Sequence, residues 1–118
     1  MQTYAWDQIE KEQVNPTFTR QVIHAETMTV ARLFLKKGCF VPVHNHHNEQ
    51  ISMVETGSLQ FVLAGETLSI KAGEILRIPP HVPHSAEALE DSIVVDLFSP
   101  PREDWIRGED AYLRSPAR

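Results

Sequence analysis

Short apolar segments alternate with turn-forming residues along most of this chain. Within the segments, apolar side chains recur at about every second position, as in a strand with one buried face, and helical periodicity is nearly absent. The pattern predicts an all-β sandwich or barrel, with strands over residues 27–35, 50–54, 58–63, 67–70, 75–78, 85–89 and 93–98. The gaps between these strands hold Gly38, Gly57, Gly65 and Gly73, with Pro79, Pro80 and Pro83 nearby.

The two ends of the chain lack this pattern. Residues 1–20 are mixed and polar, and we expect them to pack across a sheet or against a partner subunit. Residues 103–118 place Trp105, Ile106 and Leu113 among charged residues, which predicts a short helix or a loose tail. No internal repeat is visible, so we expect one domain over residues 1–118, with a barrel core at about 20–102 and peripheral segments at 1–19 and 103–118.

Composition narrows the classes of partner. The chain has 118 residues, enough for one core, and its 42% hydrophobic and 23% charged content is ordinary for a globular domain. Its formal net charge of −5 and the lack of a basic run argue against a nucleic-acid partner. The single cysteine, Cys39, excludes an intramolecular disulfide. No apolar run can span a bilayer and the N-terminus does not resemble a secretory signal, so no membrane partner and a cytoplasmic location are expected.

Histidines are concentrated in two short segments, which hold five of the six. Along a strand, His44 and His46 would point the same way and reach one ion. Gln50 follows a short turn and can offer an amide oxygen, while His84 follows a proline-rich turn and can approach from an adjacent strand. Three imidazoles and one oxygen, with positions left open, describe a catalytic metal site better than a structural one.

The other histidines are assigned differently. His47 alternates to the opposite face from His46, so we expect it to face solvent. His81 either lines the mouth of the site or caps a turn, and His24 is expected to be structural or exposed. The alternative for the whole set is a polar loop in which the histidines are incidental.

These residues resemble the two sequence motifs of the cupin superfamily. The first motif, a glycine, His-x-His, an acid and a second glycine, is matched in spacing by Gly38, His44, His46, Gln50 and Gly57, with Gln50 in place of the acid. The second motif, a glycine, Pro-x-Gly, His and Asn, is matched at Gly73, Pro79 and His84, but His81 and Ala88 replace its inner glycine and its asparagine. The resemblance implies a single-domain, RmlC-like jelly-roll β-barrel with a metal ion inside its mouth.

A narrower resemblance covers three segments. His-x-His-x-x-Glu-Gln (44–50), Ile-Pro-Pro-x-Val-Pro-His-Ser (78–85) and Asp-x-Phe-Ser-Pro-x-Arg-Glu-Asp (96–104) are similar to the pectin degradation cupins of the KdgF type. That resemblance implies ring opening of 4,5-unsaturated uronic acid monosaccharides to a linear 4-deoxy-5-keto uronate. It implies the metal ligands His44, His46, Gln50 and His84, and a reaction site lined by Asp96, Phe98 and Arg102.

The residues themselves leave these last three roles open. Asp96 shares one strand face with Phe98; if that face is the inner one, burial raises the pKa of Asp96 and a nearby cation lowers it, which suits proton transfer. If the face is outward, Asp96 is a solvated acid. Arg102 either holds a substrate carboxylate by a two-pronged hydrogen bond or forms a surface ion pair with Glu103, Asp104 or another acid. Phe98 is either core or a platform for substrate.

The neutral amide of Gln50 bears on the class of reaction. Neutral ligands leave the full charge on the ion and favour Lewis-acid work over oxygenase chemistry, and nitrogen and oxygen donors admit Ni, Mn, Fe or Zn. The alternatives are a cupin dioxygenase, a sugar isomerase, or a non-catalytic module that binds a small acid. A homodimer formed by pairing of sheet edges is also expected, with residues 1–20 as the candidate contact.

Overall fold

A computed structural model describes residues 1–116, which form ten strands and three short helical segments. The strands are β1 (Glu12–Asn15), β2 (Phe18–His24), β3 (Thr29–Leu35), β4 (Phe40–His44), β5 (Glu49–Thr56), β6 (Ser58–Leu63), β7 (Glu66–Lys71), β8 (Ile75–Ile78), β9 (His84–Ala88) and β10 (Ser92–Ser99). A 3-10 helix covers Trp6–Gln8, and the C-terminal segment contains α1 (Glu103–Ile106) and α2 (Ala111–Arg114). Within these residues no helix has the length and apolarity needed to cross a membrane.

The strands form two antiparallel sheets around one core. The larger sheet has the order β1-β2-β3-β10-β5-β8, and the smaller sheet has the order β4-β9-β6-β7. Neighbours such as β10 and β5, or β4 and β9, are distant in sequence, as in a jelly roll. The structure therefore confirms the all-β, single-domain jelly-roll fold that the sequence predicted.

Alternation along the central strands determines what the barrel holds. In β3 and β10 every second residue is buried. The inner face of β10 carries Ser92, Val94, Asp96 and Phe98, so the inward placement of Asp96 is the correct alternative. A carboxyl group is thus set among apolar side chains, in the part of the core that adjoins the histidines.

The strand predictions were most accurate where glycine turns bound a regular alternation. Residues 58–63 and 75–78 match β6 and β8 at both ends. The pattern missed β1, β2 and β4. In β2 the neighbouring residues Arg20 and Gln21 are both buried, because Arg20 pairs with Asp110 and Gln21 donates to backbone carbonyls of the Trp6 segment. Buried polar side chains at adjacent positions obscure the alternation on which the prediction depends.

The C-terminal segment packs onto the barrel. Trp105 and Leu113 belong to the hydrophobic core, and Asn15 Nδ2 donates to the Leu113 carbonyl at 2.7 Å. Arg20 Nη2 lies 2.6 Å from Asp110 Oδ2, and both side chains are almost fully buried. The sequence allowed a short helix or a loose tail; the structure has two short helices, held by apolar burial and a buried ion pair.

Two glycines with nearly the same backbone conformation offer a test of the fold. Gly57, between β5 and β6, has φ +85°, and a Cβ there would collide with Ser92 Oγ and lie 2.5 Å from the Asp91 carbonyl oxygen. Gly65 has φ +87° with nothing near the added Cβ. We expect Gly57→Ala to lower the free energy of unfolding by about 3 kcal/mol and Gly65→Ala by about 1 kcal/mol. Chemical denaturation of both variants measures this, and equal losses would contradict the close approach at Gly57.

Candidate metal centre

Two of the predicted ligands lie opposite each other on paired strands. His44 is the last residue of β4, His84 is the first residue of β9, and the two are partners in the register of the smaller sheet. His46 lies beyond the end of β4, in the loop to β5, so the assumption that it continues the strand was wrong. Its carbonyl accepts a hydrogen bond from the His81 backbone N–H at 2.8 Å, which fixes the loop close to the β8–β9 turn.

The structure brings these three rings into one cluster. One ring nitrogen from each of His44, His46 and His84 lies within 4.8 Å of the others. The ring centroids are separated by 4.2 Å for His44 and His84, 5.0 Å for His46 and His84, and 5.6 Å for His44 and His46. Such spacing allows three nitrogens to reach a single ion at ordinary bond lengths.

Backbone carbonyls fix the protonation of every ring in the cluster. Nδ1 of His44 lies 2.7 Å from the Pro42 carbonyl oxygen, Nδ1 of His46 lies 3.0 Å from that of Asn48, and Nδ1 of His84 lies 2.8 Å from that of Val82. A carbonyl oxygen only accepts, so each Nδ1 carries the proton and each Nε2 presents a lone pair. Among the described residues, nothing hydrogen-bonds to the buried Nε2 of His84. Metal-binding histidines in proteins are oriented in this way.

Gln50 is buried and turns its amide oxygen toward the cluster. Its Nε2 donates to Ser52 Oγ at 3.0 Å and to Asp96 Oδ2 at 3.4 Å, which directs Oε1 away from both. Oε1 then lies 3.0 Å from Nε2 of His46. With the His46 proton on Nδ1, two lone pairs face each other at that distance, and a shared cation would satisfy both. The donor set therefore fits a divalent metal ion bound by three imidazoles and one amide oxygen.

Burial and nearby positive charge keep the imidazole rings of the cluster neutral. Burial lowers the pKa of His44 to about 3 and that of His46 to about 4. Repulsion between the protonated forms of His84 and His44 adds to the effect on His44, and the charge of Arg102 adds to the effect on His46. The pKa of His84 is lowered as well, mainly by burial. At neutral pH all three rings are in the form that binds a metal.

Asp96, Phe98 and Arg102 line the same cavity as His44, Gln50 and His84. Asp96 is 6% exposed, its Oδ1 has no hydrogen-bond partner among the described residues, and burial raises its pKa to about 6 despite opposing effects of Ser52 and Arg102. Phe98 belongs to the core and meets the His46 ring edge-on, with centroids 5.7 Å apart. The cavity thus combines candidate ligands with a buried carboxyl group whose pKa is raised by burial.

Arg102 is a buried side chain, only 2% exposed. Its guanidinium lies 4.6 Å from the Phe98 ring centroid and 4.5 Å from that of Trp105. Nε and Nη2 donate to the two carboxylate oxygens of Asp104, at 3.0 and 2.8 Å. The pairing with an acid that the sequence allowed is therefore present, but it joins a buried guanidinium to a carboxylate that is 32% exposed.

The remaining histidines lie outside the cluster. His47 is exposed, as expected, and His24 is exposed with its Nδ1 2.8 Å from Thr29 Oγ1. His81 is also exposed and has φ +67° at the position where the cupin motif has glycine. Its backbone N–H donates to the His46 carbonyl, so it belongs to the turn that holds the His46 loop.

Sequence reasoning missed two residues of the site. The Tyr112 ring lies 4.9 Å from the His44 ring, centroid to centroid, and its hydroxyl contacts Arg102. Asn48 is 1% exposed and its Nδ2 donates to the Pro100 carbonyl at 2.5 Å, which links the His46 loop to the segment that leads to Arg102. The spacing of His44, His46 and Gln50 gives Asn48 no role of its own, and the irregular C-terminal sequence gives no signal for Tyr112.

Comparisons with known proteins agree with this geometry. A family model described as Cupin domain matches residues 32–99. The pectin degradation protein KdgF of Dickeya dadantii (strain 3937) is 27% identical over 103 residues, which cover 85% of this chain and 94% of that protein. The solved structure of KdgF from Halomonas sp. is 31% identical, with a TM-score of 0.82, over 88% of this chain and 99% of that one. An RmlC-like cupin from Shewanella frigidimarina NCIMB 400 is 29% identical, with a TM-score of 0.83, over 89% and 96% of the two chains.

The lowered pKa values predict how metal binding depends on pH. Protons compete with a metal only as the pH approaches the pKa of the ligands, which is about 3 for His44 and about 4 for His46. We therefore expect the metal affinity, measured by calorimetric titration, to stay level from about pH 8 to pH 5 and to fall below that. A decline that begins near pH 6.5, the ordinary histidine value, would contradict the buried cluster.

His84→Ala should weaken metal binding at every pH, because it removes one ring of the cluster. His47→Ala should leave metal binding unchanged, because His47 is exposed and lies outside the cluster.

Proposed function

This chain belongs to the cupin family and is KdgF-like, and from that premise we propose that it opens the ring of 4,5-unsaturated uronic acid monosaccharides with a bound divalent metal ion. The observation that carries the proposal is that His44 and His84 of the histidine cluster line one cavity together with a buried acid, Asp96, and a buried cation, Arg102. The names of two similar proteins, which refer to KdgF and to pectin degradation, support a substrate derived from pectin.

The cluster would hold the ion through His44, His46, His84 and Gln50. Once bound, a divalent ion supplies Lewis-acid polarisation of substrate oxygens. The protein contributes the orientation of the donors, because the imidazole rings are fixed by carbonyls and the amide is fixed by Ser52 and Asp96. The ion site is therefore organised before substrate arrives.

The substrate ring contains an enol ether at the C4–C5 double bond. A proton adds at C4, water adds at C5 and loses a proton, and the resulting hemiketal opens by cleavage of the bond between C5 and the ring oxygen. The hydrated aldehyde left at C1 then loses water, so the overall change is an isomerisation to the linear 4-deoxy-5-keto uronate. The protein must donate a proton to C4, accept a proton from the attacking water, and hold the carboxylate of the substrate in place.

Asp96 fits the proton-transfer role. Its carboxyl is buried, its pKa is raised to about 6, and its Oδ1 has no partner among residues 1–116. Burial raises the pKa of this carboxyl and a bound cation would lower it, a balance that suits a group that donates a proton to C4 and accepts one from the attacking water. Gln50 links Asp96 to the metal site through the 3.4 Å contact.

Arg102 is suited to binding the carboxylate of the substrate, and Phe98 is suited to forming an apolar side of the cavity. Arg102 brings a fixed positive charge into the cavity, where a uronate carboxylate would be attracted. Phe98 lines the cavity with an apolar surface that limits the access of bulk water to the reacting carbons. Neither residue transfers a proton in this proposal.

The neutral donor set favours this reaction over the alternatives. A cupin dioxygenase would more often have a carboxylate among its metal ligands, whereas the fourth donor here is an amide. Oxygen uptake by iron-loaded protein without uronate turnover would favour a dioxygenase. Tight binding of a uronate with no product would favour a module that only binds a small acid.

We expect Asp96→Asn to lower kcat for an unsaturated galacturonate monomer by about a hundredfold or more, because asparagine cannot transfer the proton. The measurement is the loss of the ultraviolet absorbance of the enol ether, corrected for the spontaneous rate. Metal affinity should change little, since Asp96 is not a donor in the cluster. Asp7→Asn is the matched control, because Asp7 is an exposed acid near the N-terminus, far from Asp96 in the sequence. Undiminished turnover in Asp96→Asn would remove this residue from the mechanism.

The homodimer expected from the sequence stays a prediction. β1 lies in the segment expected to contact a partner and forms one edge of the larger sheet. Edge strands present unpaired backbone groups that can pair with a second chain. Light scattering on the purified protein should give the mass of two chains, and the mass of a single chain across a wide concentration range would contradict it.

A further inference from the structure

Tyr112 connects the candidate metal centre with Arg102. Its ring lies against the His44 ring, with centroids 4.9 Å apart and planes inclined by 35°. Its hydroxyl oxygen accepts a hydrogen bond from Arg102 Nη2 at 2.9 Å. The side chain lines the cavity, although it belongs to a helix of only four residues near the C-terminus.

The hydrogen bonds of Arg102 limit what its guanidinium can offer a ligand. Nε–H and one Nη2–H go to Asp104, and the second Nη2–H goes to Tyr112. Among residues 1–116, the side-chain hydrogen bonds of Arg102 come from Nε and Nη2 and none comes from Nη1. A two-pronged bond from Arg102 to a carboxylate needs two adjacent nitrogens with free N–H groups. Since only Nη1 remains, Arg102 alone supplies one prong.

The hydroxyl of Tyr112 supplies the missing donor. Its oxygen receives the Nη2–H of Arg102, so its own proton is directed elsewhere, and it donates to no residue in the described chain. A hydroxyl that accepts from a cation becomes a better donor, because successive hydrogen bonds polarise one another. The phenol O–H and Arg102 Nη1 are therefore two donors next to the contact between Tyr112 and Arg102, and both residues line the cavity that His44 and His84 also line.

Several contacts fix Tyr112 in this place. Asp110, two residues before Tyr112, is fully buried and pairs with Arg20. Leu113, the next residue, belongs to the core, and its carbonyl accepts a hydrogen bond from Asn15. Arg114 continues the anchor by pairing with Asp110 at 3.1 Å. The hydroxyl is thus held by the barrel on both sides and is not part of a loose tail.

We propose that Tyr112 is a substrate-binding residue, whose hydroxyl forms with Arg102 Nη1 a two-donor subsite for the carboxylate of an acidic sugar. The inference rests on the proposed function for the identity of the sugar, while the subsite itself rests on the hydrogen bonds of Arg102 and Tyr112. The pair selects acidic over neutral sugars and turns the carboxylate toward the side of the cavity where Tyr112 adjoins His44.

The test compares Tyr112→Phe with wild type in metal-loaded protein. The variant keeps the ring that packs on His44 and removes only the hydroxyl. Tyr4→Phe is the matched control, because Tyr4 is the other tyrosine of the chain and is exposed, with its hydroxyl bonded to Gln2. The probes are galacturonate, a saturated acid that cannot react, and galactose, its neutral counterpart, with affinities measured by calorimetry.

We expect Tyr112→Phe to weaken galacturonate binding about tenfold, as for the loss of a hydrogen bond to a charged group, and to leave galactose binding and metal affinity unchanged. With an unsaturated uronate, KM should rise by a similar factor while kcat changes less. Tyr4→Phe should match wild type in every measurement. Equal weakening for acid and neutral sugar would show a purely structural role and overturn the proposal, as would wild-type affinity for galacturonate in Tyr112→Phe.

The same measurements separate this inference from the proposed function. If wild type binds galacturonate through Tyr112 but does not accelerate ring opening, the subsite stands and the enzymatic assignment fails. If wild type opens the ring but Tyr112→Phe has unchanged KM and unchanged galacturonate affinity, the enzymatic assignment stands and the subsite is overturned.

Discussion

The site depends on a single repeated interaction, in which the Nδ1–H of a histidine is donated to a backbone carbonyl nearby in sequence. It occurs at His44, His46 and His84, and in each case the carbonyl lies two residues away. The interaction fixes both the orientation of the ring and the location of its proton, so three Nε2 lone pairs point to a common region. Without it the rings would rotate or change tautomer, and proximity alone would not make a metal site.

The barrel supplies what these local bonds cannot. The register of the smaller sheet places His44 opposite His84, and the inward face of β10 places Asp96 beside Gln50. Burial then acts on the two kinds of group in opposite directions, because it disfavours charge on either: the histidines lose affinity for a proton and Asp96 gains it. One apolar core therefore yields neutral metal donors and a carboxyl group able to transfer protons.

Sequence reasoning succeeded where a signal is local. The histidine spacing identified a cluster that the structure confirms for His44, His46 and His84. The strands β6 and β8, which lie between turns marked by glycine or proline, were predicted to the residue. It failed where the signal is tertiary. Buried polar residues hid β2, and Tyr112 lies in a short segment without periodicity, whose position is set by the Arg20–Asp110 ion pair. The contact between Arg20 and Asp110 joins residues 90 positions apart, so neither local sequence indicates it.

The central claim is that Nε2 of His44, His46 and His84 and Oε1 of Gln50 converge on one divalent ion. Anomalous diffraction from crystals of the metal-loaded protein, collected above and below the absorption edge of the bound metal, tests it most directly. The account predicts one strong peak, within bonding distance of all four atoms. A peak elsewhere in the molecule, or a peak bonded to His44 and His46 with His84 turned away, would contradict it.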